Sequence, residues 1–153
     1  MRDIHSIALL QPMAVGVVAV ICTVFIHALP LSATLRFLSL EKRFGRVGVS
    51  FWRDTQIVVS VILLALVAHL TEIAFWAALL VVCGEFTSFG TAYYHSAVNY
   101  TSLGYGDIVM SPAWRLLGPI ETANGMLLFG VSTAMTYAVL HRLVEVRYAD
   151  LRE

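Results

Sequence analysis

Three long, mainly apolar stretches constrain this chain more than any other feature. They cover 13–31, 57–83 and 116–143, which are 19, 27 and 28 residues long. A transmembrane helix needs about 20 mainly apolar residues, because each adds about 1.5 Å across a hydrocarbon core about 30 Å thick. The chain is 59% hydrophobic and 13% charged, whereas about a quarter of the residues in a soluble domain are charged. The sequence therefore predicts an all-α membrane protein with three transmembrane helices.

The first apolar stretch has two interpretations. Gln11-Pro12 suits the start of a helix, since proline is tolerated in the first turn. A cleaved signal peptide is the alternative, but its apolar region would be shorter, and Asp3 offsets the charge of Arg2. We therefore expect a retained transmembrane helix.

The segment 33–54 is rich in basic residues and predicts the orientation of the chain. Leu31, Leu35 and Leu38 recur at helical spacing, so we expect its first part to lie along the membrane interface, and Gly45 and Gly48 to allow a turn. Its basic residues are Arg36, Lys42, Arg43, Arg46 and Arg53. A solvated loop is the simplest explanation for them. The positive-inside rule adds that the loop is cytoplasmic, which puts the N-terminus outside and the C-terminal tail, with Arg147 and Arg152, in the cytoplasm.

A short segment between the second and third stretches cannot cross the membrane. It covers 91–101, and we expect a re-entrant helix there. The run Ser102-Leu103-Gly104-Tyr105-Gly106-Asp107 follows it. Glycines on both sides of Tyr105 allow left-handed backbone at alternate positions, so that successive carbonyl oxygens point to one side. Irregular backbone at membrane depth must be buried in protein or line a watery cavity. Rings of such carbonyls can replace the water around a cation.

The run 102–107 resembles the potassium-channel signature threonine-valine-glycine-tyrosine-glycine-aspartate. Ser102 replaces the threonine and keeps its hydroxyl, and Leu103 replaces the valine. Residues 57–142 resemble the two-helix pore module of the potassium-channel superfamily. The whole chain is similar to a small bacterial group of ion-channel proteins with one pore loop and an extra N-terminal helix. The resemblance implies that K⁺ binds the carbonyl oxygens of Ser102, Leu103, Gly104 and Tyr105 and the Ser102 hydroxyl, with Gly106 completing the selectivity filter.

The same resemblance implies residues that hold the filter in place. Thr101 matches the end of the pore helix, and Tyr94 and His95 match paired aromatic residues behind the filter. Tyr94 would donate its hydroxyl to Asp107, and His95 would reach the Tyr105 hydroxyl of a neighbouring chain.

Two positions depart from the family pattern behind the filter. Val98 stands where many relatives carry a glutamate that pairs with the filter aspartate, and His95 replaces a large aromatic residue. Glu121 lies about two turns into the third stretch, at the depth of the filter, and could supply the missing acid.

The resemblance implies a passive potassium-selective channel in the plasma membrane. One filter strand cannot surround an ion, so a homotetramer is expected, with no enzymatic activity, no nucleic-acid partner and no cofactor besides permeant K⁺. The expected division is 1–54 for the first helix and basic loop, 55–145 for the pore module and 146–153 for a short tail. No span carries regularly spaced arginines, so no voltage sensor is expected. A weakly selective cation channel, a potassium-transporter core and a non-conducting subunit are the alternatives.

Several other residues in the spans have more than one interpretation. His69 and Glu72 share a helix face, as a mutually satisfied pair or as a gating or proton-sensing element. Asn124 is expected either to support the fold or to face a cavity. Gly125 and Gly130 are either hinges of the third helix or packing contacts.

Overall fold

The computed structural model describes residues 2–44 and 50–148, with side chains from Leu10 onward except that of Lys42. The helices are α1 (Arg2–Arg43), α2 (Phe51–Val82), α3 (Phe89–Tyr100) and α4 (Leu117–Arg147). Three are long and apolar enough to cross a membrane, over Leu10–Glu41, Phe51–Val82 and Leu117–Arg147. The predicted all-α class, with three spans and a short helix between the second and third, is confirmed.

Helix α1 is longer than the sequence pattern predicts. Pro12 and Pro30 both lie inside it, so the predicted helix start at Pro12 is wrong. Prolines occur within transmembrane helices because neighbouring helices and local adjustments satisfy the freed backbone groups. The first half of the basic segment continues α1 as regular helix to Arg43. Arg46, Arg152 and the turn predicted at Gly45 and Gly48 lie outside the described residues.

Helices α2 and α4 contact each other, and both of them contact α1 and α3. One apolar cluster surrounds Trp76 and Tyr100, both fully buried, and joins α1, α2, α3 and α4. A second cluster, at the other end of the framework, contains Ile57, Val61, Val139 and Leu143. The short helix α3 is therefore held from behind by side chains of three long helices.

The two basic segments meet at one end of the molecule. Arg147, in the last turn of α4, forms an ion pair of 3.0 Å with Asp54 in the first turn of α2. Its guanidinium also lies 5.9 Å from the centre of the Phe51 ring. The α1–α2 connection and the end of α4 therefore lie on the same side, as three consecutive spans require.

Gly125 allows α4 to approach the end of α3. A Cβ added at Gly125 would lie 2.2 Å from the carbonyl oxygen of Tyr100, whereas one added at Gly130 meets nothing within 4 Å. The packing interpretation therefore accounts for Gly125. The open space at Gly130 leaves both of its predicted interpretations possible.

Candidate functional site

The loop after α3 leaves the helix in an orientation fixed by backbone hydrogen bonds. The amide of Ser102 donates to the Asn99 carbonyl over 2.9 Å. The amides of Leu103 and Gly104 both donate to the Val98 carbonyl, over 2.9 and 3.3 Å. These bonds turn the chain back along the end of α3, and the carbonyl oxygens of the loop take no part in them.

The backbone of the loop alternates as the glycine positions predict. Gly104 has φ of 59° and Gly106 has φ of 70°. Ser102 has φ of 63°, a third left-handed residue at the same spacing. A left-handed residue other than glycine is uncommon, because its Cβ crowds the following carbonyl at a cost of about 1–2 kcal/mol. The sequence pattern did not signal this third position.

The loop carries backbone carbonyl oxygens that accept no hydrogen bond from the described residues. No hydrogen bond among the described residues ends on a carbonyl oxygen of 102–105. The side chains of Leu103 and Tyr105 are 57% and 65% exposed in the single chain. A large apolar or aromatic side chain at this depth needs packing partners. The carbonyl oxygens of 102–105 and the side chains of Leu103 and Tyr105 are therefore accessible at the surface of the single chain.

Tyr94 and Asp107 connect α3 to the end of the loop. The Tyr94 hydroxyl donates to Asp107 Oδ2 over 2.8 Å, which is the contact that the resemblance implied. This hydrogen bond raises the pKa of Tyr94, because the carboxylate beside it stabilises the protonated phenol. Thr101, directly after α3, donates its hydroxyl to the Ala97 carbonyl over 2.6 Å.

His95 has other partners within the chain than the predicted one. Its Nδ1 donates to the Ile108 carbonyl over 3.1 Å, and its Nε2 accepts from the Asn99 amide nitrogen over 2.8 Å. Both ring nitrogens are thus used without Tyr105. Burial lowers the pKa of His95, against the opposing effects of the Ile108 carbonyl and the acids Glu85 and Asp107. His95 therefore connects α3 to the segment after the run 102–107.

A carboxylate fixes the other side of the loop. Glu85 follows α2, and its Oε2 accepts the hydroxyl of Ser111 over 2.8 Å, while its Oε1 accepts the Ser111 backbone amide. The segment before α3 and the segment after the run 102–107 are thereby connected. This bracing could not be predicted, because Glu85 and Ser111 are 26 positions apart.

Glu121 lies behind α3 and does not contact Asp107. It is fully buried, and its carboxyl group faces the side chains of Ser96 and Asn99. Neither oxygen makes a hydrogen bond of suitable distance and angle in the described part of the chain. Asn124, one turn later, donates to the Thr23 hydroxyl over 2.8 Å and therefore supports the fold at α1. Filter support by Glu121 stays a prediction.

A second group of polar side chains is buried beneath the end of α3. His69 Nδ1 lies 3.2 Å from Glu72 Oε2, so the two residues form a pair, as one of their two interpretations expected. Glu72 also accepts a hydrogen bond from the Tyr100 hydroxyl. His27 of α1 reaches Glu72 through Nδ1 at 2.8 Å. Ser132 of α4 lies at the far side of both imidazoles. The prediction missed His27, although an ionisable residue inside an apolar span is a recognised signal.

The structure combines three membrane-spanning helices with a short packed helix and an open loop whose carbonyl oxygens accept no hydrogen bond from the described residues. This arrangement is typical of a membrane pore protein. A family described as ion channel has a model that matches residues 56–142, more than half of the chain, and the chain belongs to this family. It is therefore an ion-channel protein and not an enzyme. Comparisons with curated proteins and with solved structures find no match.

Proposed function

We propose that the chain is a potassium-selective channel that conducts K⁺ passively as a homotetramer. The single observation that carries the proposal is the alternating backbone of 102–106, whose carbonyl oxygens at 102–105 accept no hydrogen bond from the described residues. The ion ligands are the carbonyl oxygens of Ser102, Leu103, Gly104 and Tyr105, together with the Ser102 hydroxyl.

Dehydration of the ion is the step that the loop must assist. A cation entering a narrow pore loses its water, and rings of backbone carbonyls can replace that shell. Helix α3 ends directly before the loop, and the C-terminal end of a helix carries partial negative charge. Both features favour a cation over an anion.

The unfinished surface of the loop supports assembly of several chains. A groove of about 650 Å³ runs beside the filter between His95, Ile108, Arg115 and the start of α4. The exposed side chains of Leu103 and Tyr105 lie on the same loop. In the proposed tetramer, neighbouring chains fill this groove and cover these side chains.

A weakly selective cation channel is the second candidate, and one observation favours it. Val98 offers no acid behind the filter, and the side-chain contact of Asp107 with α3 is the hydrogen bond from Tyr94, at an exposed position. A filter that is held less firmly discriminates less between K⁺ and Na⁺.

Reconstitution in liposomes distinguishes these candidates. With purified protein and opposed K⁺ and Na⁺ gradients, a K⁺-selective channel gives a voltage close to the K⁺ equilibrium potential. A voltage near zero indicates weak selectivity, and no flux above empty liposomes indicates a non-conducting subunit. A mass measurement in native lipid particles that gives two chains per particle would contradict the tetramer.

The proposed orientation has its own test. The basic connection between α1 and α2 is cytoplasmic in this proposal, with the N-terminus outside. In a variant with Cys22→Ser, Cys83→Ser and Arg43→Cys, we expect labelling by an impermeant thiol reagent from the cytoplasmic side. Labelling of intact cells from outside reverses the topology.

A further inference from the structure

Two histidines and a glutamate converge at one buried point outside the filter. One ligand atom from each of His27, His69 and Glu72 lies within 4.8 Å of the others. The residues are 4%, 5% and 0% exposed, so these polar groups are shielded from solvent in the single chain. They come from two different helices, α1 and α2, at the level where α3 ends.

The hydrogen bonds of this cluster cannot all be satisfied by neutral imidazoles and an ionised carboxylate. Six contacts connect His27, His69, Glu72, Tyr100 and Ser132. Each imidazole and each hydroxyl supplies one proton, which gives four protons for the six contacts. Even when one proton is shared between two acceptors, only five contacts have a proton. In the sixth contact, two lone pairs face each other. A cation bound at the cluster would remove this unfavourable contact.

Ser132 indicates which ring nitrogens are free to bind that cation. Its Oγ lies 3.2 Å from His27 Nε2 and 3.0 Å from His69 Nε2. A hydroxyl oxygen has two lone pairs and can accept both Nε2–H groups. The Nδ1 lone pairs of both imidazoles then point toward the Glu72 carboxylate. Metal-binding histidines usually donate their other ring nitrogen to an acceptor in this manner.

We propose that His27 Nδ1, His69 Nδ1 and the Glu72 carboxylate bind a divalent transition-metal ion of the zinc class. Two imidazoles and one carboxylate are a donor set that Zn²⁺ accepts. Tetrahedral Zn²⁺ with ligands at about 2.0–2.2 Å separates neighbouring ligand atoms by about 3.3 Å. His69 Nδ1 lies 3.2 Å from Glu72 Oε2 and His27 Nδ1 lies 2.8 Å from Oε1, so the imidazoles flank the two oxygens of one carboxylate, and a small outward movement of His27 admits the ion.

The cluster also offers a fourth ligand. The Tyr100 hydroxyl lies 3.1 Å from His69 Nδ1 and contacts Glu72. A cavity of about 20 Å³ borders His27 and Ser132, which is room for about one water molecule. A bound ion would thereby join α1 and α2 at the residue that ends α3.

Metal binding by the intact protein tests the proposal without any measurement of conduction. Purified protein is treated with a chelator, dialysed against Zn²⁺ and analysed for bound metal per chain. We expect one tightly held Zn²⁺ per chain, and a Co²⁺-loaded sample with the intense visible absorption of a four-coordinate site. Wild-type protein that holds no Zn²⁺, or that gives only the weak spectrum of six-coordinate Co²⁺, overturns the proposal. An additional proton then supplies the missing cation.

Matched variants identify the ligands. His27→Ala and Glu72→Gln should each lower the Zn²⁺ affinity by at least tenfold, and Ser132→Ala by a smaller factor through the orientation of the imidazoles. His141→Ala is the control, because His141 forms a solvent-exposed pair with Glu145 over 3.7 Å in the same protein. Equal Zn²⁺ affinity in wild type and His27→Ala, or loss of binding in His141→Ala, contradicts the proposal. If a cluster variant fails to fold, the cobalt spectrum of the wild type still decides.

Discussion

The filter loop and the buried cluster meet at the end of α3 but are built in opposite ways. The filter loop consists of consecutive residues, exposes its side chains and leaves its carbonyls unused. The cluster takes residues from all four helices, with His27 and Ser132 separated by 105 positions, and is closed from solvent within one chain. In the proposed tetramer other chains complete the first, whereas the second is closed within one chain and is the proposed site of a cation.

This difference separates two kinds of constraint on the same helix. The loop depends on backbone conformation, so a change that alters φ should affect ions and leave the fold intact. The cluster depends on side-chain contacts between helices, so a change there should affect stability and leave the loop conformation intact.

The largest effect on ion selectivity is expected from Gly104→Ala. A Cβ there meets nothing within 4 Å, but the residue has φ of +59°, so the change acts on conformation alone. Left-handed backbone costs an alanine about 1–2 kcal/mol, and a tetramer would bear this cost four times. We expect loss of selective K⁺ flux in liposomes with the protein still folded and inserted.

Gly84→Ala is the matched control for that experiment. Gly84 has φ of +75° and an equally empty surrounding, but it lies after α2 and outside the run 102–107. We expect a similar small cost in stability and unchanged K⁺ selectivity. If Gly104→Ala retains normal selectivity, or Gly84→Ala loses it, the alternating backbone does not carry the ion site.

A large effect on stability is expected from Gly125→Ala. Its Cβ would lie 2.2 Å from the Tyr100 carbonyl oxygen, which belongs to backbone and cannot rotate away. Overpacking of this kind costs about 1–3 kcal/mol or more, so we expect a lower apparent melting temperature in detergent. Gly130→Ala, with no atom within 4 Å, should change it little. Equal melting temperatures for the two variants would show that α4 moves freely past α3.

The sequence predicts the loop well because its information is local. The two glycines determine where left-handed backbone is cheap, and they have positive φ as expected. Hydropathy likewise predicts the three spans, since it depends on composition within each stretch. The boundaries are less accurate at α1, where Pro12 and Pro30 suggest breaks that the membrane environment tolerates.

The sequence predicts the residues around the loop less completely because their partners are distant. The Tyr94–Asp107 contact could be anticipated from resemblance. The contact of His95 with Ile108 could not, because it depends on how the segment after the loop folds back. The contact with Asn99 is a local i, i+4 pair of α3, which helical spacing allows. His27 could be recognised only as an unexplained polar residue, since its partners on α2 and α4 become neighbours only when the helices pack.

A moderate effect on stability is expected from Tyr100→Phe, at the junction of the two regions. Burial raises the pKa of Tyr100, and the hydrogen bond to Glu72 raises it further. The side chain therefore keeps its hydroxyl proton and donates it to Glu72. Loss of a hydrogen bond to a charged group costs about 1.5–3 kcal/mol. We expect a lower melting temperature with unchanged K⁺ selectivity. Tyr137→Phe, at a 67% exposed position on α4, is the control. A change in selectivity without a change in stability would make the two regions one functional unit.

The smallest effect is expected from protonation of His95, and it tests the loop from its outer side. Because burial lowers the pKa of His95 below its usual value near 6.5, the folded chain disfavours the imidazolium that the unfolded chain forms. The folded chain therefore has its full stability above the pKa that His95 has in the unfolded chain. It loses stability as the pH falls from that pKa toward the lower pKa of the folded chain. Protonation at Nε2 also turns that nitrogen into a donor, so that the Asn99 amide must rotate to present its oxygen. The segment after the filter then loses a fixed contact, and K⁺ flux should fall by a small factor between about pH 8 and pH 5.

His95→Phe should remove this dependence, whereas His141→Phe, at an exposed position near the end of α4, should retain it. If wild type and His95→Phe respond alike, His95 only fills space behind the filter. Glu121, whose carboxyl group faces the same helix and has no hydrogen-bond partner among the described residues, then becomes the residue to test.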